Sequence, residues 1–307
     1  VARLPARGPD GAVAVCSLHD VTTIKRAEQM RADFVANASH ELRTPLASLA
    51  GFIETLSGPA KDDPEAQDRF LSIMQVQTER MRRLIDDLLS LSRVEMNEHL
   101  PPEGEVDLNA VISDVREAMA PVFARRDITL ALEPEEGAAV VVGERDQIYE
   151  VVENLLENAV KYSPDGASIR LSVHHGRTRD SAEHMAERID PDSGRLTLAA
   201  PALNPDARYG VVRVRDTGQG IERRFLPRLS ERFFRVDGQK SGPAAGTGLG
   251  LAIVKHIVSR HRGGFTVESA PGKGSVFSVF FPAVIKSQSA SPAQSDSQTD
   301  PSETAAQ

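Results

Sequence analysis

Two apolar stripes at coiled-coil spacing constrain this chain more than anything else in it. In the first, Val35, Ala38, Leu42, Pro45, Leu49, Phe52 and Leu56 recur at alternating intervals of three and four, and Leu46 and Ile53 widen the stripe. In the second, Phe70, Met74, Gln77, Met81, Leu84, Leu88 and Leu91 repeat in four-three spacing. Helices that bury one face against other helices carry this period. The pattern predicts a helix over 23–56, stopped by Ser57-Gly58-Pro59, a short polar connection at 60–64, and a second long helix to about 96. A helical hairpin covers only part of its own stripe, so two copies are expected to pair as a four-helix bundle, making a homodimer.

With Val35 and Leu42 at heptad position a, His40 falls at f, the most outward-facing place. An imidazole there adds nothing to a core, yet it titrates near neutrality and can act as a nucleophile. A lone surface histidine is more often simply solvated. Glu41 stands beside it and Thr44 lies one turn on. Pro45 sits inside the periodic run, where it removes a backbone donor and crowds the carbonyl of Glu41, a local cost of about 3 kcal/mol that predicts a kink.

The rest of the chain reads as a second domain, consistent with 307 residues at 40% hydrophobic content. A formal charge of -8 argues against a nucleic-acid binder. The single cysteine, Cys16, excludes an internal disulfide and fits a reducing setting. No run approaches the roughly 20 apolar residues of a membrane span. The chain begins at Val1, so it is expected to be the cytoplasmic portion of a longer protein, in which a missing N-terminal region supplies a sensor or membrane anchor. At the start, Pro9-Asp10-Gly11 reads as a turn and 12–18 as a strand. This strand, followed by Asp20-Val21-Thr22 and a charged helix, resembles the exit of a PAS sensor domain, so residues 1–22 are expected to be its remnant.

Residues 97–107, with two prolines and four carboxylates, read as a linker. There follow a helix at 108–125, strands at 128–132 and 138–142 expected to pair, a helix at 145–163, and a strand at 168–173. Residues 174–208 lose periodicity and read as a surface insertion, a β-hairpin extension with one strand at 196–199; His174, His175 and His184 there lack the spacing of a metal site. Strands at 209–215, 264–269 and 275–281 complete the domain. The tail, 286–307, is nearly devoid of apolar residues and is expected to be disordered.

Three motifs carry chemistry. On the 145–163 helix, Asn154, Asn158 and Lys161 share a face away from the apolar stripe. An amide oxygen suits Mg²⁺ and a lysine suits phosphate, though two asparagines on a helix are as often structural. Asp216-Thr217-Gly218-Gln219-Gly220 follows a strand, where a carboxylate can accept from an exocyclic amine and glycines allow close approach; a simple turn is the plain alternative. Gly246-Thr247-Gly248-Leu249-Gly250 opens an apolar helix whose free amides suit phosphate. A dinucleotide-binding reading fails because these glycines lie late in the chain, after 238–245, without a leading βαβ unit.

HELRTPL at 40–46 resembles the phosphoacceptor box of sensor histidine kinases. ENLLENAVKYS at 153–163 resembles their N-box, DTGQG their first glycine box, RLSERFFRVD at 228–237 their F-box, and GTGLG their ATP lid and second glycine box. The chain is identified on these boxes as a member of the HisKA-type sensor histidine kinases, most similar to the phosphate-regulon type, with Ser230 where the F-box usually has an aromatic. The resemblance implies an α+β architecture: a dimeric helical-hairpin domain (23–96), then a GHKL-type α/β sandwich that binds ATP and Mg²⁺ (108–285). It implies that His40 is phosphorylated, with Glu41 as base, Thr44 serving a phosphatase reaction, and Lys161 and Arg235 offsetting phosphoryl charge. It implies Asn158 as metal ligand, and a nucleotide held by Asn154, Asn158, Lys161, Tyr162, Asp216, Gly218, Gly220, Ile221, Phe233, Arg235, Gly246, Thr247, Gly248, Leu249, Gly250 and Leu251. The implied partner is the receiver-domain aspartate of a response regulator. A GHKL ATPase or serine kinase and a non-catalytic scaffold are the rival readings.

Overall fold

The computed structural model describes residues 2–3, 14–15, 20–184, 189–200, 206–236 and 246–284. The expected disordered tail, the lid segment 238–245 and most of the N-terminal strand lie outside the described residues. Of the first segment, β1 (Ala2–Arg3) pairs antiparallel with β2 (Ala14–Val15).

The predicted hairpin is present as α1 (Thr22–Ser57) and α2 (Pro64–Met96). Asp63 caps α2, its Oδ1 accepting from the Ala66 amide at 3.0 Å, and Pro64 occupies the first turn, where its missing N–H costs nothing. Phe52 meets Phe70 across the hairpin at 5.3 Å between ring centres. Pro45 is buried and α1 runs on through it without interruption. Val35, Leu46 and Ile53 remain 59%, 58% and 54% exposed, and Leu71, Ile85 and Leu89 of α2 are also open. One chain therefore leaves an apolar face uncovered, as the hairpin geometry requires.

The second domain is a two-layer sandwich. Its helices are α3 (Leu108–Arg125), α4 (Arg145–Tyr162) and, near the end, α6 (Gly250–Arg260). They cover one face of a six-stranded sheet built from β4 (Thr129–Glu133), β6 (Ser168–Thr178), β8 (Arg208–Arg215), β10 (Gly274–Pro282), β9 (Gly264–Ala270) and β7 (Gly194–Ala199), in that spatial order. Only β4 and β6 run parallel. Ile148, Val151, Val152, Leu155 and Ala159 of α4 form the buried stripe against Leu171, Val212, Val214, Val279 and Phe281.

Three local expectations are corrected. The strands at 129–133 and 140–142 do not pair with each other: β4 joins β6, whereas β5 (Val140–Val142) pairs with β3 (Glu105–Asp107). The segment read as linker thus ends inside the fold, because Val106 is buried there and Asp107 holds two amides, Asn109 and Ala139, at 3.0 and 3.2 Å. The insertion strand does not form a hairpin with its neighbours. It adds to the edge of β9, where buried Glu268 accepts from the Ile189 amide (2.8 Å), the Ser193 hydroxyl (2.6 Å) and Arg195 Nε (3.0 Å). The short α5 (Arg179–Glu183) of the insertion lies over the sheet's outer face, Ala182 meeting Tyr209, Val211 and Phe280.

The two domains share a continuous core. Leu84, Leu91 and Val94 of α2 are buried with residues of the second domain, and Phe34 and Leu42 of α1 lie against them.

Candidate active site

A cleft of about 670 Å³ opens between α4, the two glycine-rich loops and α2. It is walled by Asn154, Asn158, Lys161 and Tyr162 of α4, by Asp216, Gly220 and Ile221 after β8, and by Phe234, Arg235, Gly246, Thr247, Gly248, Gly250 and Leu251.

Each glycine has a steric reason. Gly220 has φ +69°, and a Cβ there would stand 1.9 Å from the Ala270 carbonyl oxygen. A Cβ on Gly246 would stand 2.5 Å from Lys161 Nζ. Gly218 does not wall the cleft; its amide donates to Asp216 Oδ1 at 2.8 Å, and Ser275 donates to the same oxygen at 3.2 Å. Asp216 is buried, and burial pushes its carboxyl up to about 6 against the pull of those two amides. It is still mostly ionised at neutral pH, with an oxygen available to an exocyclic amine.

On α4, Asn158 Nδ2 donates back to the Asn154 carbonyl at 2.9 Å, which leaves its Oδ1 as the acceptor facing the cleft. Asn154 Nδ2 does the same to Glu150. Burial, then the charges of Arg235 and Arg83, bring the Lys161 ammonium down to about 8. Lys161, Arg235 and Arg83 thus lie close enough to act on one another at this end of the cleft, with Glu157 offsetting part of their charge.

Besides Gly218, two implied site residues sit elsewhere. Leu249 is fully buried in the core, and Phe233 turns to the hairpin, its ring 6.0 Å from that of Phe34; Phe234 takes the cleft wall. Phe233 has φ +63° and donates from its amide to Gly248 at 2.8 Å, so it ties the F-box to the second glycine loop.

Sequence reasoning missed Arg80, Arg83 and Asp87 of α2, which also wall the cleft. Their signal is readable afterwards: each stands one position before a seam residue, Met81, Leu84 or Leu88, and so all three share a face. Glu41 Oε2 accepts from Arg235 Nη2 at 2.9 Å and from Arg80 Nη2 at 3.2 Å. Arg235 also reaches the Thr247 carbonyl at 3.2 Å, and Thr247 Oγ1 donates to Asp87 Oδ2 at 2.5 Å. Arg80, Glu41, Arg235, Thr247 and Asp87 thus form one chain of polar contacts joining the hairpin to the glycine loop. His40 is exposed beside Glu41, and Thr44 Oγ1 donates to the His40 carbonyl at 3.2 Å.

The Asp87 contact gives a pH dependence. Burial, together with Glu157, Glu150 and Asp86, raises its carboxyl from the ordinary 3.8 to about 6, although the Thr247 hydroxyl pulls the other way. Docking of the domains therefore takes up a proton: its contribution is complete below 3.8 and is lost as pH rises through about 6. We expect Asp87→Asn to unfold at a higher temperature than the parent at pH 7.5, by about 1 kcal/mol after solvent screening, with the gap closing toward pH 5. Calorimetric scans of both proteins across that range check this, and a gap independent of pH refutes it.

Among the described residues no helix is long and apolar enough to cross a membrane, and no group of three or more His, Cys, Asp or Glu could hold a metal. Residues 30–97 match the His Kinase A (phospho-acceptor) domain, and residues 143–285 match the histidine kinase-, DNA gyrase B- and HSP90-like ATPase domain. The phosphate regulon sensor protein PhoR of Pseudomonas aeruginosa is 37% identical over 264 residues, 86% of this chain and 53% of that protein. The sensor-like histidine kinase SenX3 of Mycolicibacterium smegmatis is 33% identical over 273 residues, 89% of this chain and 63% of that protein. The chain thus spans about half to three fifths of these relatives. Its fold resembles that of histidine kinase ThkA in a complex with response regulator protein TrrA, at TM-score 0.58 and 19% identity over 89% of this chain and 70% of that one. Matched over both the phosphoacceptor hairpin and the nucleotide fold, the chain belongs to the HisKA-type sensor histidine kinases and is similar to the phosphate-regulon sensor.

Proposed function

We propose that the chain autophosphorylates His40 from Mg-ATP and passes the phosphoryl group to an aspartate of a response regulator. The supporting observation is the contact of Glu41 with Arg235. It brings the residue beside the acceptor imidazole to the wall of the nucleotide cleft.

In this reading Asp216 accepts from the adenine amine and the glycine loops admit the phosphates. The lone pair of one His40 imidazole nitrogen, by family analogy Nε2, attacks the γ-phosphorus as the bond to the β-γ bridging oxygen breaks. ADP leaves with that oxygen, and Glu41 takes the imidazole proton. Lys161 and Arg235 offset charge in a loose transition state. Bound Mg²⁺ would neutralise phosphate charge. Asn158 Oδ1 would hold it, which fits an ion that draws most of its shell from phosphates and water.

Thr44 serves the reverse, phosphatase reaction by helping to place a water, and the stretch around Pro45 is the hinge between the two activities. Two chains pair through the open face of Val35, Leu46 and Ile53. ThkA, seen with TrrA, supports a response regulator as partner. The functional domains are a PAS-like remnant (1–22), the phosphotransfer hairpin (23–96) and the catalytic domain from about 105, and a preceding region tethers the whole to the inner membrane.

Incubation with Mg²⁺ and γ-labelled ATP is the test. The phosphoprotein is expected to lose its label in acid and keep it in base, as an N–P bond does. Label that survives acid would favour a serine kinase, and nucleotide turnover with no labelled protein would favour an ATPase.

A further inference from the structure

The sheet has a second polar surface, on the face away from α3, α4 and α6. Val212 and Val214 of β8 enter the main core, so the alternating residues Arg213 and Arg215 emerge on the outer face. The register sets Arg215 directly opposite Arg170 of β6, Arg213 opposite Ser172, and Val211 opposite His174; beyond a bulge, Tyr209 faces Arg177. Like charges directly opposed across a strand pair are destabilising. Glu133 takes Arg170 at 3.2 Å and Glu268 takes Arg195 at 3.0 Å. Among the described residues no carboxylate forms an ion pair with Arg213 or Arg215.

Four buried side-chain polar atoms in the described residues have no hydrogen-bond partner: Ser163 Oγ and the Nε atoms of Arg177, Arg213 and Arg235. Buried donors are nearly always satisfied, so each requires an explanation. Arg235 lies in the nucleotide cleft, where a phosphate would accept from it. Arg177 and Arg213 lie on the opposite side of the sheet and flank His174 in the register.

We propose that this outer face holds an oxyanion of phosphate or carboxylate type, bound between Arg213 and Arg177 over His174. Two guanidinium groups supply charge-assisted donors at a spacing set by the bulge between His174 and Arg177. His174 is suited to complete the site. Burial, then the charges of Arg177 and Arg213, hold its imidazole below the ordinary 6.5, against the opposite pull of Glu135 and Glu133. It is therefore neutral at pH 7 and can donate to an anion. Glu135, the carboxylate nearest Arg177 at 4.0 Å, is already taken by the His175 amide at 2.7 Å. The insertion lies on the same face, Ala182 of α5 packing on Tyr209 and Val211, the strand partners of Arg177 and His174, which gives that extra segment a place beside a ligand site remote from the kinase cleft.

The test follows the His174 ring by NMR in the full chain, with saturating ADP filling the nucleotide cleft, and with the signal assigned from its loss in His174→Gln. Inorganic phosphate and malonate are titrated separately. Saturable binding that moves the His174 titration midpoint to higher pH is expected. Binding should weaken about tenfold or more in Arg213→Gln and in Arg177→Gln. Arg177 is 41% exposed, so its replacement serves if Arg213→Gln misfolds. A response to phosphate alone or to malonate alone supports the site and identifies its ligand type. No response to either, or a response unchanged in both arginine variants, overturns it.

Discussion

His40→Gln is expected to remove all acid-labile label while leaving nucleotide affinity and melting temperature unchanged. The imidazole is exposed, and among the described residues its ring makes no hydrogen bond or ion pair, so the fold loses nothing when it is replaced. The nucleotide cleft is walled by other residues and stays intact. The expected fall in phosphorylation is complete, because no neighbouring group replaces a missing nucleophile. The paired measurement decides: binding of a fluorescent ADP analogue must stay within about twofold of the parent while label drops to background. Label retained in this variant would remove His40 from the reaction.

Glu41→Gln is expected to lower the autophosphorylation kcat by about 10² to 10⁴-fold, the usual range for a lost general base. The amide keeps an oxygen near Arg235 and Arg80 but cannot take the imidazole proton. It also loses the charge that holds Arg235 Nη2 at 2.9 Å, which frees that guanidinium for the nucleotide. The KM for ATP should therefore stay level or fall while kcat drops, a split that general destabilisation would not produce. A kcat within about threefold of the parent would exclude Glu41 as the base and leave it a link between the domains.

These two predictions rest on parts of the protein with different legibility. His40, its outward heptad position and the glycine boxes are readable because their signals are local: a 3.5-residue period, or a run of five residues fixed by the needs of a phosphate. The partners of Glu41 are not local. Arg80 is 39 residues away and Arg235 is 194 away, and nothing in either neighbourhood marks them for one carboxylate. Phe233 and Phe234 show the same limit, since two adjacent aromatics give no sign of which will face the hairpin and which the cleft.

The sequence alone determined the two long helices and the two-domain order, and it marked His40 as an outward-facing candidate and the glycine-rich runs as candidate phosphate and base contacts. Helical periodicity and turn chemistry are properties of neighbouring residues. The tertiary structure decided which strands pair, that β7 extends the sheet beside β9, that Arg80, Arg83 and Asp87 complete the cleft, and that the Nε atoms of Arg177 and Arg213 are buried on the outer face without a hydrogen-bond partner. Strand pairing and interdomain docking bring together groups tens to hundreds of residues apart. Their outcome depends on burial and register across the whole fold, which no short stretch of sequence encodes.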